Sequence, residues 1–396
     1  MSTADSIPAS TVTARGASSV RIKLSRDDYA FRTGLVLVIS LLAILVVLPL
    51  YSLLSKSLED MDGNFVGLQN FQEYLQTPSL LTSITNSLSV AFFSAIIVLV
   101  LAFIYAYALT RTQMPFRLFF RGVALIPILA PSLLAAISLI YWFGTQGVLK
   151  SWLFGASIYG PIGVIMASCF WVFPHALMIL ITALSTADAR LYEAAEALRT
   201  PKWRIFWTVT LPGAKYGILS TGFIVFTLVI TDFGVPKVIG GNFNVLATDV
   251  YKQVVGQQNF EMGAVVSLVL LLPAVAAFIA DRWVQSKQVA LLSARAVPFQ
   301  PKSEPLRDWL LFGFCTTIAF IFLAMLGMAA YASFVTFWPY NLTLSLNNYD
   351  FDLMDGGGWE AYFNSIRMAI YCAVFGSGLI FFGSYLVETA RGDSWL

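Results

Sequence analysis

Residues 83–109 read SITNSLSVAFFSAIIVLVLAFIYAYAL, without a single Lys, Arg, Asp or Glu. An α-helix needs about 20 apolar residues to cross roughly 30 Å of hydrocarbon, and this run is long enough. The same texture recurs in both directions from it, at residues 34–53, 122–143, 162–184, 216–238, 262–279, 309–334 and 362–387. That makes eight expected spans. The runs are continuous rather than alternating, so membrane β-barrel strands are excluded. Apolar residues make up 58% of the chain and charged ones 12%, well under the roughly one quarter that solvates a globular surface. The sequence therefore predicts an all-α integral membrane protein.

The net charge of +2 gives no reason to expect nucleic acid as a partner. Cys169, Cys315 and Cys372 lie inside apolar runs and form no spaced pair, so neither a disulfide framework nor a metal site is expected. Residues 1–33 carry scattered Ser, Thr and Arg without an apolar core. They read as a cytoplasmic tail, not as a cleavable signal peptide. With that end inside, nineteen of the 24 Lys and Arg fall on inner segments, as the positive-inside rule requires. Lys56, Lys150, Lys237, Lys252 and Arg367 are the outer exceptions, and the outer loops carry acids such as Glu59, Asp60, Asp62, Asp350, Asp352 and Asp355. An even number of spans returns the C-terminus to the cytoplasm. The expected location is the cell inner membrane, multi-pass, with both termini cytoplasmic.

At an offset of 278 residues the later part of the chain lies on the earlier part. Asn70 meets Asn348, Phe71 meets Tyr349, and Asn86-Ser87 meets Asn364-Ser365. Apolar helices resemble one another by composition, so the polar pairs held at one offset carry the argument. Repeats of this sort are a transporter architecture. The expected organisation is a tail at 1–33, a six-helix transmembrane domain at 34–300, and a partial second repeat of two helices at 301–396. A second inner loop would fall past Leu396, so the second copy reads as truncated, frameshifted or split. The chain is expected to need a second permease copy or chain to complete a pathway.

One long, charged inner loop separates two spans, residues 185–215. Thr186-Ala187-Asp188 is an N-cap-like start, and Leu191, Ala194, Ala195 and Leu198 follow at helical spacing until Pro201 stops the helix. A second short helix is expected at 203–209, before Leu211-Pro212-Gly213 leads back into the membrane. Glu193-Ala194-Ala195, with Leu198, Trp203 and Leu211-Pro212, resembles the "EAA" loop of binding-protein-dependent ABC importer permeases, over roughly residues 80–285. The resemblance implies a coupling helix that docks on a cytoplasmic ATPase, and a periplasmic solute-binding protein on the other side. Arg199 stands where that family usually has glycine. From the residues alone, an amphipathic helix lying on the lipid interface is the alternative.

No G-x-x-x-x-G-K-[ST] sequence occurs, so the chain has no phosphate-cradling loop of that kind. ATP is expected on the partner subunit, with no cofactor bound by this chain. The chain is read as a transport subunit, not an enzyme. The stretch Thr231-Asp232-Phe233-Gly234-Val235-Pro236-Lys237 resembles the double-length permeases for 2-aminoethylphosphonate and for ferric iron, more the former. Phosphonate is therefore the expected solute, with ferric iron, or an ion-coupled secondary transporter, as alternatives.

Three polar residues are candidate pathway positions. Asp232 falls within the fifth expected span, where a carboxylate faces protein or a water-filled path; it either meets a cationic solute group or pairs with Lys237. His175, the only histidine, follows Pro174 and either lines the path or packs by hydrogen bonding. Asn86 is expected to bond between helices. Pro127 and Pro131 suggest a kinked third span.

Overall fold

The computed structural model describes residues 26–286, 299–353 and 357–390. Most of the expected tail (1–25), inner residues 287–298 with Lys287 and Arg295, Asp355, and the end from Arg391 lie outside the described residues. Among the described residues, seven helices are long and apolar enough to cross a membrane, or up to eight if the bent pair is counted as one span. The protein is an all-α integral membrane fold apart, among the described residues, from one small hairpin, Val335–Phe337 with Asn341–Leu344.

In chain order the helices are α1 (Phe31–Ser57), α2 (Gln69–Gln76), α3 (Pro78–Arg111), α4 (Arg117–Leu129) and α5 (Ser132–Phe143). Then come α6 (Pro161–Ser185), α7 (Ala189–Ala197), α8 (Lys202–Ile230), α9 (Gly234–Ile239) and α10 (Leu246–Tyr251). The last three are α11 (Phe260–Ser286), α12 (Pro305–Phe334) and α13 (Gly358–Thr389). The helix that contains α1 already starts at Arg26, inside the expected tail. The chain folds as two compact units, Tyr51–Gly358 and Met1–Leu50 with Trp359–Leu396.

In the larger unit α3, α6 and α8 pack on one another, and α11 joins through α8. The seam is made of small residues: Ala91, Ala102, Ala106, Ala167 and Ala176 are fully buried. Lipid is as apolar as Leu, so such helices associate through close van der Waals contact, which small residues allow. One tight approach is at Gly217 of α8, where an added Cβ would stand 2.3 Å from the Ala183 Cβ of α6. Tyr105 of α3 donates its hydroxyl to the Phe120 carbonyl at 2.8 Å, tying in α4.

Two of the expected spans are not continuous, and proline is the reason in both. The third bends by 103° between α4 and α5. Pro131 pushes the residue before it out of the helical region, and Ala130 is extended at φ −98°, ψ 139°. The fifth ends at Ile230 and restarts as α9 at Gly234. Pro236 has no N–H for the Asp232 carbonyl, and its ring would clash there if the helix continued. Conversely, the expected break at Leu211-Pro212 is absent. A turn of wide, five-residue hydrogen bonds at Phe206–Thr210 absorbs the proline, with Leu211 N–H donating to Phe206 O. The helix runs from Lys202 to Ile230 in one piece.

The polar pair of the repeat makes matching bonds. Asn70 donates to the Ser57 carbonyl at 3.0 Å, and Asn348 to the Val335 carbonyl at 2.8 Å, the position one repeat offset away. In the larger unit α12 lies on α3, α4 and α5, with Phe322 meeting Phe170 and Phe173 at 4.9 and 5.1 Å. In the smaller unit α1 lies on α13; a Cβ at Gly34 would meet Phe382 at 3.3 Å.

Candidate functional site

The loop after α6 is built around a capped helix. Asp188 is its N-cap and accepts the Arg190 N–H at 3.1 Å, which satisfies one orphan donor of the first turn. Helix α7 then spans Ala189–Ala197, as the spacing predicts. Its two faces differ. Ala189 and Tyr192 are buried, whereas Glu193 and Ala194 are exposed and Ala195 is half-buried. Leu191 and Leu198 are 59% and 80% exposed, and Trp203 at the start of α8 is 69% exposed. Exposed Leu and Trp beside a charged helix face form a surface fit for a protein partner.

The helix ends where the expected glycine is missing. Arg199 sits at φ 53°, in the left-handed region. Its N–H donates to Glu196 O at 2.8 Å, and Thr200 N–H donates to Ala195 O at 3.0 Å. That pair of bonds is the Schellman ending, in which glycine is the usual left-handed residue. Arg199 therefore makes a turn for which glycine is usual, at a conformational cost of about 1–2 kcal/mol for a residue with a Cβ. Pro201 follows in extended geometry and opens α8.

Leu211 is half-buried and Pro212 exposed within α8. Their neighbours Val209 and Gly213 line a cavity of about 610 Å³ together with Leu191, Tyr192 and Gln285. On the other side of α7 a second cavity, of about 880 Å³, is lined by Glu193, Glu196 and residues 299–304. There Lys302 pairs with Glu196, and Lys202 pairs with Glu304 at 2.6 Å. Hydrogen bonding and charge from Glu196 hold the Lys302 ammonium above the ordinary lysine range.

Of the three pathway candidates, Asp232 sits where the two helix breaks meet. Asp232, two residues before α9, holds the first amides of that helix: its Oδ1 accepts from Gly234 N–H at 3.3 Å, and its Oδ2 from Val235 N–H at 3.1 Å. Ser132, the first residue of α5, donates to Oδ1 at 3.2 Å. The carboxylate thus joins the two discontinuous helices. Lys237 is engaged elsewhere, its ammonium lying 4.3 Å from the centre of the Tyr251 ring. Asn86 donates to the Asn244 carbonyl at 2.9 Å, and the neighbouring Ser87 accepts from Leu246 N–H at 2.8 Å, so α3 holds the connection between α9 and α10. His175 is half-buried with its ring 6.1 Å from Trp171, and its Nδ1 has no partner among the described residues. His175 is not among the residues the breaks bring together.

Sequence reasoning passed over Arg111, Tyr192 and Phe299. Arg111 entered only as an inner charge, yet it is 3% exposed. Its guanidinium lies 4.8 Å from the centre of the Tyr192 ring and 4.3 Å from that of Phe299. A lone Arg closing a long apolar run was the available signal.

Residues 99–289 match the family described as "Binding-protein-dependent transport system inner membrane component". A Haemophilus influenzae protein named for ferric transport, permease FbpB 1, is 27% identical over 92% of this chain and 59% of its own length. The ferric transport system permease protein FbpB of Actinobacillus pleuropneumoniae is 25% identical over 88% of this chain and 52% of its own. The chain thus spans little more than half the length of these relatives. A bacterial ABC transporter for import of the acidic polysaccharide alginate has a chain of similar fold, with TM-score 0.52 and 14% identity over 68% of this chain and 98% of its own.

Proposed function

We propose, for a chain whose residues 99–289 match the family described as "Binding-protein-dependent transport system inner membrane component", that it is a permease subunit of an ATP-driven importer. The observation that carries this reading is α7. A capped helix with Glu193 and Ala194 exposed, flanked by exposed Leu191, Leu198 and Trp203, is a ready docking surface on an otherwise lipid-facing molecule. Small Ala side chains let a partner backbone come close, and Glu193 supplies a fixed charge. The partner in this reading is a cytoplasmic ATPase, and a solute-binding protein delivers cargo at the opposite face. The family description supports an inner-membrane location, and the distribution of Lys and Arg supports cytoplasmic termini. Leu198, Arg199, Leu211 and Pro212 shape the docking loop, while Asp232, Asn86 and His175 belong to the pathway side.

The names of the two long relatives favour ferric iron as cargo over the phosphonate suggested by residues 231–237. The test is uptake of labelled ferric iron into vesicles that hold this chain, a second permease chain, its ATPase and its binding protein, with 2-aminoethylphosphonate in parallel. Iron uptake that stops without ATP supports the reading, and phosphonate uptake alone overturns the choice of cargo. The two broken helices that meet at Asp232 and Ser132 favour one second reading, an ion-coupled secondary transporter. Gradient-driven uptake with no ATPase present would establish it.

A further inference from the structure

Arg111 closes α3 and is buried at 3% exposure. Nη2 donates to the Leu184 carbonyl, in the last turn of α6, at 2.7 Å. Nε has no hydrogen-bond partner among the described residues, and the faces of Tyr192 and Phe299 flank the guanidinium instead. The two rings are 4.6 Å apart, centre to centre. A buried guanidinium requires partners of this sort, since removing it from water is otherwise costly. The arrangement has a direction: Leu184 belongs to the membrane block, Tyr192 to α7, and Phe299 to the segment that leads into α12.

That segment, 299–308, is fastened at further points. Lys302 pairs with Glu196 of α7, and Glu304 with Lys202 at the start of α8. Gln113, two residues beyond α3, donates to the Pro301 carbonyl at 2.7 Å. Asp308 accepts the Gln113 N–H at 3.4 Å and the Glu304 N–H at 3.2 Å. Tyr192 is also tied across the loop, its hydroxyl donating to Thr210 Oγ1 at 3.1 Å. One face of α7 is therefore covered by the chain itself, and the face with Leu191, Ala194 and Leu198 is left open.

We infer that Arg111 is a positioning residue that seats α7 on the membrane block through Tyr192, and that residues 299–308 form a strap that carries movement of α7 directly to α12. By the repeat offset α12 opens the second copy, so the strap links the loop of one copy to the first helix of the next. The transmission half of this inference rests on the importer reading; the seating half does not.

The test uses the full-length chain in two arms. Hydrogen exchange on the purified protein reads the seat. Arg111→Met and Tyr192→Leu should each speed exchange of amides in 189–197 and 299–304 by about 5- to 30-fold, with the α6 amides unchanged. Tyr192→Phe keeps the ring and should stay within about threefold of the parent. Unchanged exchange in Arg111→Met, or equal loosening by Tyr192→Phe and Tyr192→Leu, overturns the seat. The second arm measures ATP hydrolysed per solute taken up, with ATPase and binding protein present. Arg111→Met should raise that ratio several-fold at equal membrane level and equal ATPase recovery, and Arg111→Lys should recover part of it. A loosened seat with an unchanged ratio overturns the strap as a transmitter. With a second permease chain supplied, absence of ATP-dependent uptake by the parent chain tells against both the importer reading and the strap as a transmitter, and the exchange arm then decides the seat by itself.

Discussion

Replacing Arg199 by glycine should tighten the end of α7. Arg199 holds φ at 53°, where its Cβ crowds the following carbonyl at a cost of about 1–2 kcal/mol. Glycine removes that cost but gives back roughly 0.5–1 kcal/mol through the freer unfolded chain. The net gain is about 0.5–1 kcal/mol, so local opening should become about 2–5 times rarer, at 1.4 kcal/mol per factor of ten. The two amides to follow are Arg199, bonded to Glu196 O, and Thr200, bonded to Ala195 O. Hydrogen exchange by mass spectrometry on peptides across 194–200 reads both. Arg199→Val should do the opposite, because a β-branched residue is worse still in the left-handed region. Faster exchange in Arg199→Gly, or no difference between Gly and Val, would refute the assigned turn.

Gly217→Val should separate α6 from α8, since even a Cβ there would meet Ala183 at 2.3 Å; a cost of about 1–3 kcal/mol is expected, read as a lowered melting temperature in detergent. Asp232→Asn should cost about 1 kcal/mol and Asp232→Ala about 2–3 kcal/mol, because the amide keeps one acceptor for the amides of Gly234 and Val235 and alanine keeps none; equal melting temperatures for the two variants would contradict that role. In the loop between α1 and α2, hydrogen bonds from Asn64, backbone first, with those from Asp62 and Gly63, hold the Asp60 carboxyl below its ordinary value of 3.8. Its contribution is therefore present above pH 3.8 and lost as pH falls through the lower, folded value. Protection of the Asn64 amide, corrected for intrinsic rate, should persist at pH 5 and collapse only below about pH 3.8; collapse at pH 5 would contradict it.

Much of this fold was legible because hydrocarbon demands long apolar runs, and these cannot be hidden. Residues 83–109, 162–184, 262–279 and 309–334 all lie within helices long and apolar enough to span. The helix breaks were less legible. Pro127 and Pro131 marked a kink, but the size of the bend depends on where α5 packs, which no local signal carries. Pro236 carried the signal for the second break, and the apolar composition on either side masked it. Pro212 misled in the other sense, because a wide turn can absorb a proline that a regular helix cannot. In the loop, Asp188 and the spacing of Leu191, Ala194 and Leu198 were sufficient to place α7. The partners of Arg111 were not legible, since Leu184, Tyr192 and Phe299 come together only through tertiary packing.

The central claim is that α7 presents Glu193 and Ala194 to a cytoplasmic ATPase. A photoreactive residue at Ala194, activated in membranes that contain the ATPase, binding protein and full chain, tests it most directly. A covalent adduct with the ATPase subunit, abolished when Glu193 is replaced by Lys, is the expected result. Adducts with lipid alone, at undiminished ATPase recovery, would contradict the claim and return α7 to the membrane interface.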